Sequence, residues 1–154
     1  MTDTSPRTYF EDVVPGEHIF STPYRVPEEE LIAFGKKWDP LPMHTDRTAA
    51  EASAFGGLIA PGSYVIAIII NRVHSLPQKW AVIASPGYDE VRFLNPVRPG
   101  DDLILEVEVV DKRVSESKPD RGIVILRFTL RNQLNTPVCS LLNAVLMYRT
   151  GFGG

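Results

Sequence analysis

The sequence predicts an α+β fold in which an antiparallel sheet wraps around one long central helix. Two observations carry this. Residues 63–75, Ser-Tyr-Val-Ile-Ala-Ile-Ile-Ile-Asn-Arg-Val-His-Ser, are apolar on every side for about two turns and follow Pro61-Gly62, which predicts a helix buried all round. Farther on, Leu103, Leu105, Val107 and Val109 alternate with Glu106 and Glu108, and Val124, Leu126, Phe128 and Leu130 alternate with Arg127, Thr129 and Arg131. Such alternation gives a sheet one dry face. A buried helix laid on a one-faced sheet covers both apolar surfaces at once.

The elements follow in order. A short strand is expected near 18–26. Pro27 with Glu28, Glu29 and Glu30 then opens a helix that Lys36 and Lys37 close, because carboxylates suit the positive end of the helix dipole and cations the negative end. Leu31, Phe34 and Trp38 share a face at helical spacing, so this helix should lie on something apolar. A loop interrupted by Pro40 and Pro42 covers 39–44. Asp46, or Thr48 with Glu51 in capping-box register, caps a short helix that Gly56-Gly57 ends. After the central helix come strands at 80–84, 87–94, 102–110, 122–132 and 137–149, with turn signals at 95–101 and 117–120.

Composition agrees with a single domain over 1–154, with flexible ends at about 1–6 and 151–154. The chain is 44% hydrophobic and 23% charged, an ordinary globular balance that needs no disulfide or metal to fold. Sixteen basic against nineteen acidic residues leave a net charge of -3, which argues against nucleic acid or an anionic membrane as partner. The longest apolar run, 64–70, is far short of the ~20 residues of a membrane span. The polar start lacks the pattern of a secretory signal, so a cytoplasmic protein is expected. The one cysteine, Cys139, lies in a core strand and reads as a small buried apolar residue. His18 and His74 have no second ligand at metal-binding spacing, and no metal is expected.

Three stretches bear on function: Asp39-Pro-Leu-Pro-Met-His44, Phe55-Gly-Gly-Leu-Ile-Ala-Pro-Gly62 and Phe93-Leu-Asn-Pro-Val-Arg-Pro-Gly-Asp101. In order and spacing this set resembles the MaoC-like dehydratases, relatives of the R-specific enoyl-CoA hydratases, over about 9–148. The resemblance implies the hot-dog fold, which agrees with the patterning. It implies an acyl-thioester substrate of the trans-2-enoyl-CoA type, with coenzyme A as part of the substrate and no separate cofactor, and a homodimer. It also implies Asp39 and His44 as the groups that activate water, and the Gly62 backbone amide as the holder of the thioester carbonyl. Two positions depart from the family pattern. Leu41 stands where an asparagine is usual, and Ile70 where some hydratases carry a serine.

The chemistry is consistent with those residue types. Adding water at C3 of an enoyl thioester needs a base for the water proton, a proton for C2, and donors where enolate charge builds. A carboxylate and an imidazole supply the first two, and the N-terminus of a buried helix the third. On spacing alone the loop must curl for Asp39 and His44 to meet, and Asp39 also reads as a turn residue and His44 as a helix-start residue. Two other functions stay open. One is a hot-dog thioesterase, for which residues 63–75 lack a carboxylate. The other is a non-catalytic acyl-binding module.

Overall fold

The computed structural model describes residues 6–153. Among these, the main sheet has six strands: β2 (His18–Phe20), β3 (Tyr24–Arg25), β5 (Val82–Phe93), β6 (Asp102–Val114), β7 (Arg121–Arg131) and β8 (Pro137–Tyr148). Their order is β2-β6-β7-β8-β5, antiparallel throughout, with β3 also on β6. A parallel pair, β1 (Arg7–Thr8) and β4 (Lys79–Trp80), lies apart. Four α-helices, α1 (Glu28–Trp38), α2 (Pro42–Thr45), α3 (Arg47–Glu51) and α4 (Gly62–Val73), and one short 3-10 helix (Phe10–Asp12) complete the set. A sheet wrapped on a central helix is the hot-dog fold.

The predicted dry face holds. Leu103, Leu105, Val107, Val109, Val124, Leu126, Phe128 and Leu130 are at most 2% exposed, and they pack on Tyr64, Val65, Ile68 and Ile69 of α4. Each fully buried side chain of this kind favours the folded state by about 1.5–3 kcal/mol. Cys139 joins this core, and burial pushes its thiol up to about 11.

Several local expectations are corrected. The α4 helix is not buried all round, because Ser63, Ala67, Ile70, Asn71 and His74 form an open stripe at helical spacing. In α1 the buried residues are Leu31 and Gly35, while Trp38 is 65% exposed with the Lys37 ammonium over its ring. The first strand breaks in two at Ser21, which turns its own N–H to Leu105 O and accepts the Leu105 N–H on its hydroxyl. The short helix α3 is capped by Asp46, which accepts the Ala49 N–H at 2.9 Å, and it ends at Glu51 rather than at the glycines. Residues 82–93 form one strand through Pro86, with register shifts that absorb the interruption.

Of the expected loose ends, residues 1–5 and 154 lie outside the described residues. Within 151–153 the Phe152 N–H donates to Arg149 O at 3.1 Å. Glu11 holds the approach to this turn, accepting from Arg149 Nε at 2.9 Å and from the Thr150 N–H at 2.9 Å. No helix among the described residues is long and apolar enough to cross a membrane.

Partial burial opposes ionisation of Glu11, but the Thr150 N–H and the Arg149 guanidinium outweigh it and hold the carboxyl down from an ordinary 4.5 to about 2. A lowered folded-state value means that the tether is complete above pH 4.5 and is lost as pH falls toward 2. The protection factor of the Thr150 amide should therefore fall across that window, and Glu11→Gln should remove that fall. A Thr150 amide that exchanges equally in both proteins would contradict this anchor.

Candidate active site

Asp39, His44 and Gly62 line one cavity of about 470 Å³ whose other walls are mostly apolar, among them Leu41, Met43, Phe55, Val65 and Phe93. Each of the three residues is placed by a different helix end. Asp39 is the residue after α1, with its N–H donating to Gly35 O at 2.9 Å. His44 is not in an open loop but on the single turn α2, which begins with Pro42 at its first position. Gly62 is the first residue of α4.

The curl that the 39–44 segment needs is made by the backbone. The Leu41 N–H donates to Asp39 O at 2.8 Å and the His44 N–H to Leu41 O at 2.9 Å. The Thr45 hydroxyl donates to the same Leu41 carbonyl at 3.2 Å. These bonds hold the turn without the amide that an asparagine at position 41 would bring, and the Leu41 side chain instead forms part of the cavity wall. Ile70 does not line this cavity; it stands 43% exposed on the open stripe of α4.

Asp39 Oδ2 and His44 Nε2 face each other at 3.6 Å, the imidazole 5% and the carboxylate 40% exposed. That separation is too long for a direct hydrogen bond, and it leaves both atoms available to one small oxygen ligand between them. His44 Nδ1 lies 2.7 Å from Ile59 O. A carbonyl can only accept, so Nδ1 carries a proton and Nε2 is the nitrogen that gains or gives one. Ile59 is itself tied back, its N–H donating to Met43 O at 3.1 Å.

At the start of α4 the first bonded amides are Tyr64 N and Val65 N, which both donate to Pro61 O, at 3.0 and 3.1 Å. The Gly62 and Ser63 N–H groups precede them and have no acceptor among the described residues. An unpaired helix N-terminus of this kind favours a negative oxygen. The glycine at 62 has a packing reason as well, since a Cβ there would come within 2.7 Å of the Phe93 ring. Phe93 thus forms the wall directly over the helix start.

Three contributors escape a reading of the sequence: the Ile59 carbonyl, the Phe93 ring and Gly35. A Cβ on Gly35 would lie 3.0 Å from both the Cβ and the O of His44, and 3.2 Å from Thr45 Cγ2. Only a bare backbone there lets α2 nest on α1. A glycine within a helix costs roughly 1 kcal/mol against alanine, and that was the one available signal. Gly35→Ala should push α2 outward and, after the gain in helix propensity, cost about 1–2 kcal/mol in urea unfolding through overpacking. A variant at least as stable as the parent would show that this contact does not hold His44 in place.

The domain model described as "MaoC like domain" matches residues 11–125. A crystal structure of the MaoC-like dehydratase from Rhodospirillum rubrum is 32% identical, with a TM-score of 0.86 over 94% of this chain and 99% of that one. The R-hydratase PhaJ1 from Pseudomonas aeruginosa is 26% identical, with a TM-score of 0.73 over 93% of this chain and 86% of its own. The uncharacterized protein YdeM of Bacillus subtilis is 29% identical over 126 residues, 81% of this chain and 88% of the relative. With a family domain matched over most of its length and its fold shared over 94% of the chain, the chain belongs to the MaoC-like dehydratase family.

Proposed function

We propose that the protein adds water across a trans-2-enoyl thioester, or removes it from the matching 3-hydroxyacyl thioester. The observation that carries this reading is the meeting, in one apolar cavity, of a carboxylate, an imidazole with a single reactive nitrogen and an unpaired helix N-terminus. Likeness to an R-hydratase supports the same reaction class. In the hydration direction, Asp39 and His44 hold the water between them and one of them takes its proton. The water oxygen bonds to C3, the double-bond electrons move toward the thioester carbonyl, and the Gly62 N–H meets the charge that builds there. A proton returned to C2 completes the addition.

The reading includes a homodimer formed through β5. That strand ends the sheet with one edge unpaired, and ten of its twelve residues are exposed, leaving only Ile83 and Val91 partly covered. A long, open edge strand is a template for another strand. Asp89 and Arg92 are in register with Leu142 and Ser140, outward positions of β8, so both charges lie on the outer face. A two-fold axis between them sets Asp89 of each copy against Arg92 of the other, a self-complementary arrangement.

Short and medium trans-2-enoyl-CoA thioesters should lose their conjugated absorbance without release of free thiol. Thiol release would support a thioesterase instead, and neither change at any chain length a binding module. Asp39→Asn and His44→Ala should each lower turnover by at least ~10²-fold with far-ultraviolet circular dichroism unchanged; a folded variant with the parent rate clears that residue of a role. Light scattering should give twice the 17.2 kDa of one chain, and a particle of a single chain's mass would remove the dimer.

A further inference from the structure

The link between α3 and α4, residues 52–61, contains no helix or strand. Its second half is anchored. Leu58, Ile59 and Ala60 are buried, the Ile59 N–H donates to Met43 O, and the Ala60 N–H donates to Val97 O at 2.8 Å. Its first half stands out as an arch, with Ala54, Phe55 and Gly56 exposed. The arch closes on itself through the Gly56 N–H on Ser53 O at 3.1 Å and the Phe55 N–H on the Ser53 hydroxyl at 3.2 Å. Gly56 takes the left-handed φ of +66° in this turn. Phe55 nevertheless lines the candidate site while 40% exposed, and it lies outside the hydrophobic core. Core packing therefore does not keep its ring against the cavity.

Arg98 reaches the arch from the segment between β5 and β6. Its Nη2 donates to Phe55 O at 2.6 Å, and among the described residues this is the one hydrogen bond that another segment makes to residues 54–58. The guanidinium passes across Gly57, where a Cβ would lie 3.2 Å from Nη1. Arg98 is fixed at its own end: its N–H donates to Asp101 Oδ2 at 2.8 Å, and its carbonyl accepts the Asp101 N–H at 3.1 Å. With Val97 O on Ala60, residues 97 and 98 grip the link at both ends of its 55–60 stretch. Glu28 and Glu51 share a shallow depression with Arg98, yet among the described residues Arg98 forms no ion pair, and Glu28 pairs with Arg47. A half-buried guanidinium with carboxylates at hand thus gives its bond to a neutral carbonyl, and a bond with one charged partner is the stronger kind.

We propose that Arg98 is a positioning residue: by pinning the Phe55 carbonyl it keeps the Phe55 ring as a wall against the acyl group in the candidate site. The inference rests on the thioester reading above. Asp39, His44 and Gly62 are placed by hydrogen bonds and helix ends that do not involve Arg98. The wall therefore bears on substrate binding, which ground state and transition state share, rather than on the addition of water.

Arg98→Met keeps the apolar stem and removes the donors. With an enoyl-CoA its KM should rise about tenfold, the scale of one hydrogen bond to a charged group, while kcat stays within about twofold of the parent. Arg98→Lys, which brings back a charged donor, should recover part of the loss. In a Phe55→Ala background Arg98→Met should no longer raise KM, because the ring it positions is gone. A rise that persists at full size without the ring overturns the inference, as does a fall in kcat with KM unchanged, the result of a general loosening of the fold. An enoyl-pantetheine thioester, which has no phosphate, should show the same ratio of KM between Arg98→Met and the parent. A ratio of one with it would make Arg98 a contact to phosphate and overturn the inference.

Amide exchange by nuclear magnetic resonance tests the tether without substrate. In Arg98→Met the Phe55 and Gly56 amides should lose protection by at least about fivefold, while the Ile59 and Ala60 amides, held by Met43 O and Val97 O, keep theirs. Unchanged protection at 55 and 56 overturns the inference. If no enoyl thioester is turned over, the lyase reading fails on its own, and the exchange comparison still decides whether Arg98 holds the arch.

Discussion

The start of α4 is where two demands on one helix meet. Its length must be covered by the sheet, because Tyr64, Val65, Ile68 and Ile69 are too apolar to leave in water. Its first turn leaves the Gly62 and Ser63 amides without acceptors among the described residues, and Gly62 lines the candidate site. The fold meets both by curving β6, β7 and β8 under the body of the helix while α1, α2 and the 93–97 segment enclose its beginning. The dry interior and the polar groups of the cavity are thus consequences of a single packing arrangement.

Much of this was legible in the sequence wherever a residue's role is local or periodic. The alternation in 102–110 and 122–132 has one physical meaning, and Leu103, Leu105, Val107, Val109, Val124, Leu126, Phe128 and Leu130 are all buried. Asp39, His44 and Gly62 could be singled out only through the resemblance of three stretches to a known family, since type and spacing alone also fit a turn residue and a helix start; the three do line one cavity. What could not be read is what depends on the approach of distant segments. The proton on His44 Nδ1 is set by a carbonyl fifteen residues away, and Gly35 is needed because another helix lands on it.

The corrections share that cause. Three consecutive isoleucines suggest a helix enclosed on all sides, but Ile70 is 43% exposed, and among the described residues no strand pairs beyond β5, where the sheet ends. Trp38 continues the spacing of Leu31 and Phe34, yet α1 is near its end there, and the ring stays in solvent under Lys37. Pro86 looks like a break between two strands. It is tolerated inside one because that strand lies at the edge of the sheet, where a missing N–H costs nothing in pairing.

The enclosure of Cys139 has a practical consequence. Its sulfur has no contact with solvent, and burial alone raises its pKa from 9.0 to about 11, so almost none of it is thiolate near neutrality. A chromogenic disulfide reagent added to the native protein will therefore report only sulfhydryls set free from small molecules. Colour that grows slowly to one equivalent per chain would instead time the opening of the core.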